Sequence, residues 1–280
     1  MLEVRDIGLG ANGVPDGPVF LTGGSGRIGT CLRQRLRPAG YDIRFTDIVA
    51  PADGDMNGFV QTDLGDQDAM ANAMAGCRAL VHLGGHPRDI DWPIIQERNY
   101  TGTYNAFAAA RRAGIRTIVY ASSNQMCGLN PADSVLSPDL PTAPVGLYGV
   151  SKAFGEALLR AEAEATGIIA FAWRIACFKP EPGTARDLRL WLSWDDAARA
   201  VDACLRWTEP GYRMLWGISR NTRARIDDPV ARMIGYAPQD DAEQWVARLE
   251  TAGVDTHRIS EWPYLGGDKA LEWMTTHRRG

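Results

Sequence analysis

The stretch Val19-Phe20-Leu21-Thr22-Gly23-Gly24-Ser25-Gly26-Arg27-Ile28-Gly29 constrains the fold more than any other part of the chain. A short apolar strand, Val19 to Leu21, ends in a glycine-rich turn and runs directly into a helical pattern from Gly26 to Leu36, stopped near Pro38. The spacing Gly23-x-x-Gly26-x-x-Gly29 puts small residues where a helix must pack on a strand and where backbone must lie close to a bound group. Such a turn belongs at the start of a parallel sheet.

The remaining periodicity agrees. Tyr41 to Asp47 alternates apolar and polar residues, Phe59-Val60-Gln61 is a short strand candidate, and Ala79 to Leu83 is a buried strand entering Gly84-Gly85. Asp66 caps a helix through Met74, Ile94 to Ala113 has helical period closed by Gly114, and Ile115 to Ala121 is again a strand. Tyr148 to Ala165 is a long helix closed by Gly167, followed by the strand Ile168 to Ile175. Strands alternating with helices imply βαβ crossovers and an α/β, doubly wound parallel sheet. Beyond Pro180 the alternation ceases: Trp191 to Trp207 and Ala242 to Ala252 read as helices, Met214 to Ile218 as a strand. The expected organisation is an N-terminal arm over 1–18, a dinucleotide-binding domain over 19–178, and a small substrate-binding region over 179–280, joined at Lys179-Pro180-Glu181-Pro182-Gly183. The arm carries Glu3, Asp6 and Asp16 without an apolar core, unlike a signal peptide.

Composition narrows the function. A net charge of -4 without a Lys/Arg cluster gives no nucleic-acid footprint. No apolar run approaches the roughly 18 residues of a membrane span. Five scattered cysteines and four histidines without ligand spacing predict reduced thiols, a cytoplasmic protein and no metal.

Helix-start amides after Gly23, Gly26 and Gly29 can receive a pyrophosphate, with Arg27 and Ile28 in the same turn. Asp47, ending the second strand about 20 residues on, can bind both ribose hydroxyls and would repel a 2′-phosphate, so NAD is expected over NADP. Arg27 is the complication, since a guanidinium there tolerates a phosphate, whereas Arg44 faces the other side of the strand. Asp63 and Leu64 can reach an adenine, and Leu83, Gly84 and Gly85 offer a close backbone pass.

Tyr148 precedes Lys152 by one helical turn, which sets phenol and ammonium on one face. A fixed positive charge favours the phenolate, making it a usable base well below its free pKa of about 10. Ser122-Ser123-Asn124 follows a strand at the sheet edge where ligands bind, so a hydroxyl there can hold the oxygen of a reacting alcohol. Together these features point to alcohol–carbonyl redox chemistry.

In order and spacing, Thr22-Gly23-x-x-Gly26-x-x-Gly29, Asn99-x-x-Gly102-Thr103-x-Asn105, Ser122-Ser123 and Tyr148-x-x-x-Lys152 resemble the extended short-chain dehydrogenase/reductase family. The resemblance covers residues 19 to about 177 and implies a Rossmann-type fold, Ser123 orienting the substrate, Tyr148 as base, and Lys152 holding the nicotinamide ribose. Asn99 falls among the cofactor-side positions, with a role more structural than catalytic. A homo-oligomer follows by analogy.

A narrower resemblance, to uronate dehydrogenases, rests on His82-Leu83-Gly84-Gly85, Leu147 to Glu156, Arg174-Ile175, Pro180-Glu181-Pro182 and Trp191 to Asp196. It implies oxidation of a hexuronate such as galacturonate or glucuronate at C1 to an aldarolactone with NAD, Ile175 beside the cofactor, and Arg186 gripping the sugar carboxylate. Chemically a guanidinium suits that partner. Asn124 and Gln125 would hold ring hydroxyls, and Pro87 and Cys177 would line the pocket. Pro87, Gln125 and Cys177 stand where that pattern has serine, histidine and serine, which leaves the sugar open. The alternatives are a dehydrogenase of another aldose or of a phosphorylated or sulfonated sugar, a nucleotide-sugar epimerase, and a non-catalytic NAD-binding protein.

Overall fold

The computed structural model describes Val14, residues 16–88 and residues 91–277. Most of the arm assigned to 1–18 therefore lies outside the described residues. Seven strands form one parallel sheet: β1 (Val19–Thr22), β2 (Ile43–Asp47), β3 (Phe59–Gln61), β4 (Ala79–His82), β5 (Thr117–Ser123), β6 (Ile169–Ile175) and β9 (Gly211–Gly217), in the order β3-β2-β1-β4-β5-β6-β9. A second, two-stranded sheet pairs β7 (Cys177–Phe178) with β8 (Trp191–Leu192).

The central strands are buried on both faces, and their period-two alternation feeds two separate cores. Leu21, Val81, Val119, Phe171 and Trp173 pack with Leu32 and Leu36 of α1 (Arg27–Leu36) and with Val201 and Leu205 of α7 (Trp194–Arg206). Phe20, Leu80, Ile118 and Ala170 pack with Met70 of α2 (Gln67–Ala73), Phe107 of α4 (Gly102–Arg112), and Leu159 and Ala163 of α5 (Gly146–Thr166). Helices thus cover both faces.

The first six strands follow the sequence reading closely. Asp66 caps α2 by accepting from Ala69 N, and Gly167, with φ 68°, ends α5. The helical stretch through Ala113 is less regular than its period suggests. It comprises α3 (Trp92–Ile95), a π-helical turn over Gln96–Thr101, and α4.

One expectation is corrected. The alternation does not cease beyond Pro180, because β6 continues through α7 to β9, which pairs with β6 along its length, from Ile169↔Gly211 to Ile175↔Gly217. The sheet therefore extends past residue 178. The signal is obscured by the insertion of β7, α6 (Asp187–Leu190) and β8 between the two strands. Outside the main layers lie β7, β8, α6, α8 (Pro229–Met233), α9 (Val246–Thr251) and α10 (Asp268–His277).

Candidate active site

The carboxyl ends of β1, β2, β4, β5 and β6 meet at one edge of the sheet, where the candidate residues gather. Gly23 takes a left-handed turn (φ 65°), and a Cβ there would come within 2.9 Å of Gly84 N. A Cβ on Gly29 would lie 2.5 Å from Gly23 O, so α1 rests directly on the loop. At Gly26, the residue preceding α1, a Cβ would meet only Gly23 O, at 3.1 Å; no side chain caps the helix and its first turn holds no acid. Asp47 accepts from Ser25 N at 3.1 Å and from Ile48 N at 2.8 Å, which sets its carboxylate against the same turn. Arg27 is exposed in that turn and Ile28 is half-buried. Arg44 donates to Ala73 O and Ala75 O, away from the turn.

Uncapped helix amides beside a strand-end carboxylate fit a dinucleotide. Sequence reasoning missed what braces this loop. The fully buried side chain of Arg33 donates to Gly24 O at 3.1 Å, and its guanidinium is neutralised by Asp53 at 3.0 Å and by Asp55.

Across the loop, Thr22 Oγ1 accepts from Leu83 N and Gly84 N at 3.2 and 3.1 Å. With both lone pairs used, its proton goes to His82 Nδ1 at 2.7 Å, so His82 Nε2–H faces Thr103 Oγ1 at 3.3 Å. Complete burial, with the Lys152 charge adding to it, holds the His82 pKa down at about 3. This neutral imidazole fixes the Leu83-Gly84-Gly85 pass.

Asp63 accepts from Gly65 N at 2.7 Å and from Arg98 at 2.8 Å, and these partners hold its carboxyl below the usual range. Leu64 packs against Gly84 and Gly102. Asn99, buried in the π-helical turn, spends both amide hydrogens on His86 O and Ser151 Oγ at 3.1 Å each, and its oxygen accepts from His86 N at 2.6 Å. These bonds tie the loop carrying exposed Pro87 to α5.

On α5, Lys152 is buried and donates to Ala121 O at 2.8 Å. Its Nζ lies 5.6 Å from the centre of the Tyr148 ring and 5.0 Å from that of Tyr120. Burial pushes the ammonium down to about 8, so it stays mostly charged at neutral pH. Ser122 and Ser123 separate by strand alternation. Ser122 donates to Glu156 at 2.5 Å, within a buried ion pair whose partner is Arg174, whereas Ser123 closes β5, accepts from Gln125 N at 3.2 Å, and sits 3.4 Å from Asn124 Oδ1. Asn124 is 3% exposed, and its Nδ2 is buried without a partner.

On the facing wall, Arg186 donates through Nε to Leu265 O at 2.8 Å and through Nη1 to Cys177 Sγ at 2.9 Å, while Nη2 is buried without a partner. Burial pushes the Cys177 thiol up to about 11, so it acts there as a neutral acceptor. Ile175 closes β6. Gln125 is buried as well. Its Nε2 donates to Gly266 O at 3.1 Å, and its Oε1 wedges where a Cβ on Gly128 or Gly266 would come within 3.1 or 2.9 Å. Its Nε2 thus holds main chain, while its Oε1 is buried without a partner.

The model of the NAD dependent epimerase/dehydratase family matches residues 19–178, which contain the glycine turn and the Tyr148/Lys152 pair. The chain belongs to this family. It is 38% identical to the uronate dehydrogenase of Agrobacterium fabrum, over 80% of this chain and 85% of that enzyme. Identity to the uronate dehydrogenase of Pseudomonas syringae pv. tomato is 31%, over 90% of this chain and 93% of the other. A mutant uronate dehydrogenase from Agrobacterium tumefaciens complexed with NAD superposes with a TM-score of 0.82 at 33% identity, covering 91% of this chain and 97% of that one. This family member is an NAD-dependent dehydrogenase, and the glycine turn and Asp47 fit that cofactor.

Proposed function

We propose that the protein oxidises a hexuronate, such as galacturonate or glucuronate, at C1 to the aldarolactone. The observation that carries this reading is Arg186, whose Nε and Nη1 are fixed by protein acceptors while Nη2 is buried and unpaired. A buried N–H of a guanidinium is costly to leave without an acceptor, and a carboxylate is its preferred one. The uronate dehydrogenases to which the chain is similar support the choice of acid.

NAD would lie along Gly23 to Gly29, with Asp47 on the adenosine ribose, Asp63 and Leu64 near the adenine, and Leu83, Gly84, Gly85, Ile175 and Lys152 toward the nicotinamide half. When bound, it supplies the hydride acceptor. Ser123 donates a hydrogen bond to the anomeric oxygen, and Tyr148 takes the hydroxyl proton as the C1–H bond breaks. The Lys152 ammonium favours the phenolate form of Tyr148. Asn124 Nδ2, the buried orphan, donates to a ring oxygen substituent, and Arg186 holds the carboxylate at the far end. Gln125 gives its Nε2 to Gly266 O, and its Oε1, buried without a partner, accepts from a sugar hydroxyl.

The test is NADH absorbance during incubation with NAD and hexuronates, neutral aldoses, or phosphorylated and sulfonated sugars. Hexuronates are expected to give the highest kcat/KM, and a higher value for any other class would replace them. Tyr148→Phe is expected to lose at least about a hundredfold in kcat while NAD binding is kept; retained turnover would remove Tyr148 as the base.

A further inference from the structure

The segment Glu261 to Lys269 belongs to none of the motifs above, yet it touches both walls of the proposed site. Toward the turn that follows β5, Leu265 N donates to Asn130 O at 2.8 Å, Gly266 N to Gly128 O at 2.7 Å, and Gln125 Nε2 to Gly266 O at 3.1 Å. Toward the Arg186 wall, Ala185 N donates to Glu261 Oε1 and Arg186 Nε donates to Leu265 O, both at 2.8 Å.

Packing is equally close. Gly267 is held at φ +73°, and a Cβ there would come within 3.1 Å of Arg186 Cδ and Nε. Two residues on, in the first turn of α10, Lys269 Nζ lies 5.9 Å from the centre of the Tyr148 ring. One stretch of chain therefore orients the guanidinium, seats the 124–130 turn, and carries an ammonium to the tyrosine.

We propose that Glu261–Lys269 is a specificity-determining strap of the active site. Its main chain fixes Arg186 relative to Ser123 and Tyr148, and so sets the length of acid that fits. Lys269 adds a cation that selects an anionic sugar. Lys152 does not serve that purpose, because its ammonium is buried on Ala121 O. The proposal rests on the hexuronate reading and names further residues for that same site.

The experiment is steady-state NADH formation with galacturonate and NAD for the wild type, Lys269→Gln, Lys269→Arg and Gly267→Ala, with a thermal melt of each. Lys269→Gln is expected to raise KM for galacturonate about tenfold and, because Nζ also lies beside the Tyr148 ring, to lower kcat by a smaller factor, with the KM for NAD changed less than about threefold. Lys269→Arg, which keeps the charge, is expected to bring KM back to within about threefold of the wild type. Gly267→Ala is expected to raise the same KM at least about tenfold by displacing Arg186, with a melting temperature that still reports a folded chain. An unchanged galacturonate KM in both Lys269→Gln and Gly267→Ala overturns the strap while leaving the dehydrogenase reading intact. Failure of Lys269→Arg to rescue overturns the charge assignment. A wild type that oxidises no hexuronate overturns the functional reading and the strap with it.

Discussion

Glu156→Gln tests the buried polar support behind β5. The Glu156 carboxylate receives Arg174 Nε and Nη2 at 2.9 Å each, Ser122 Oγ at 2.5 Å, and Tyr212 Oη at 3.5 Å. The two charged side chains are only 8% and 7% exposed. A glutamine presents an NH2 group to a donor and leaves the guanidinium buried without its counter-charge, a change that costs about 3–5 kcal/mol. With an unfolding entropy of about 2.1 cal/mol/K per residue, 280 residues give roughly 0.6 kcal/mol per degree, so Tm should fall about 5–8 °C. Scanning calorimetry measures this directly. Replacing both partners, as Glu156→Met with Arg174→Met, should recover most of the loss, because no uncompensated charge remains. Because Glu156 holds Ser122 and not Ser123, kcat well below Tm should change little. A Tm within a degree of wild type for Glu156→Gln, or a double variant no better than the single, would refute the reasoning.

Three further outcomes are expected. His82 is held at a pKa of about 3 against an unperturbed 6.5, so the unfolded chain takes up the proton first; the stability it protects is complete above pH 6.5 and is lost as pH falls toward 3. Urea unfolding of wild type and His82→Gln should therefore converge by about 1.4 kcal/mol per pH unit between about pH 5.5 and 4.5, and a pH-independent difference would contradict it. Asp47→Asn should raise kcat/KM for NADP relative to NAD at least about fivefold, by removing one repulsive charge; an unchanged ratio would point to Arg27 instead. Arg186→Ala should raise KM for an acidic sugar by about ten- to a hundredfold and that for a neutral one far less, whereas equal effects would reject the carboxylate clamp.

What could be read from the sequence was what is local. The glycine spacing, the period-two strands and the single helical turn between Tyr148 and Lys152 are set by neighbouring residues, and each has a recognisable pattern. Longer-range features left no such trace. Arg33 is fully buried because Asp53 and Asp55 return to meet it from about 20 residues away. Asn99 was legible as a motif position, but its partners His86 and Ser151 are fixed only once the loop folds against α5. The strap acts through carbonyls of Leu265 and Gly266, and main-chain acceptors carry no sequence signature. Gln125, placed among the sugar-binding positions by the resemblance, gives its Nε2 to one of those carbonyls and keeps its Oε1 buried without a partner.

The position of β9 at the margin of the seven-stranded sheet bears on how the chain is made. A fragment ending at residue 178 would expose the outer rim of Ile169–Ile175, a mostly apolar row of unsatisfied amides and carbonyls that invites sticking between copies. During translation that rim stays open until Gly217 has left the ribosome. Proteolytic trimming in the turn after Phe178 should yield aggregates, not a soluble nucleotide-binding half.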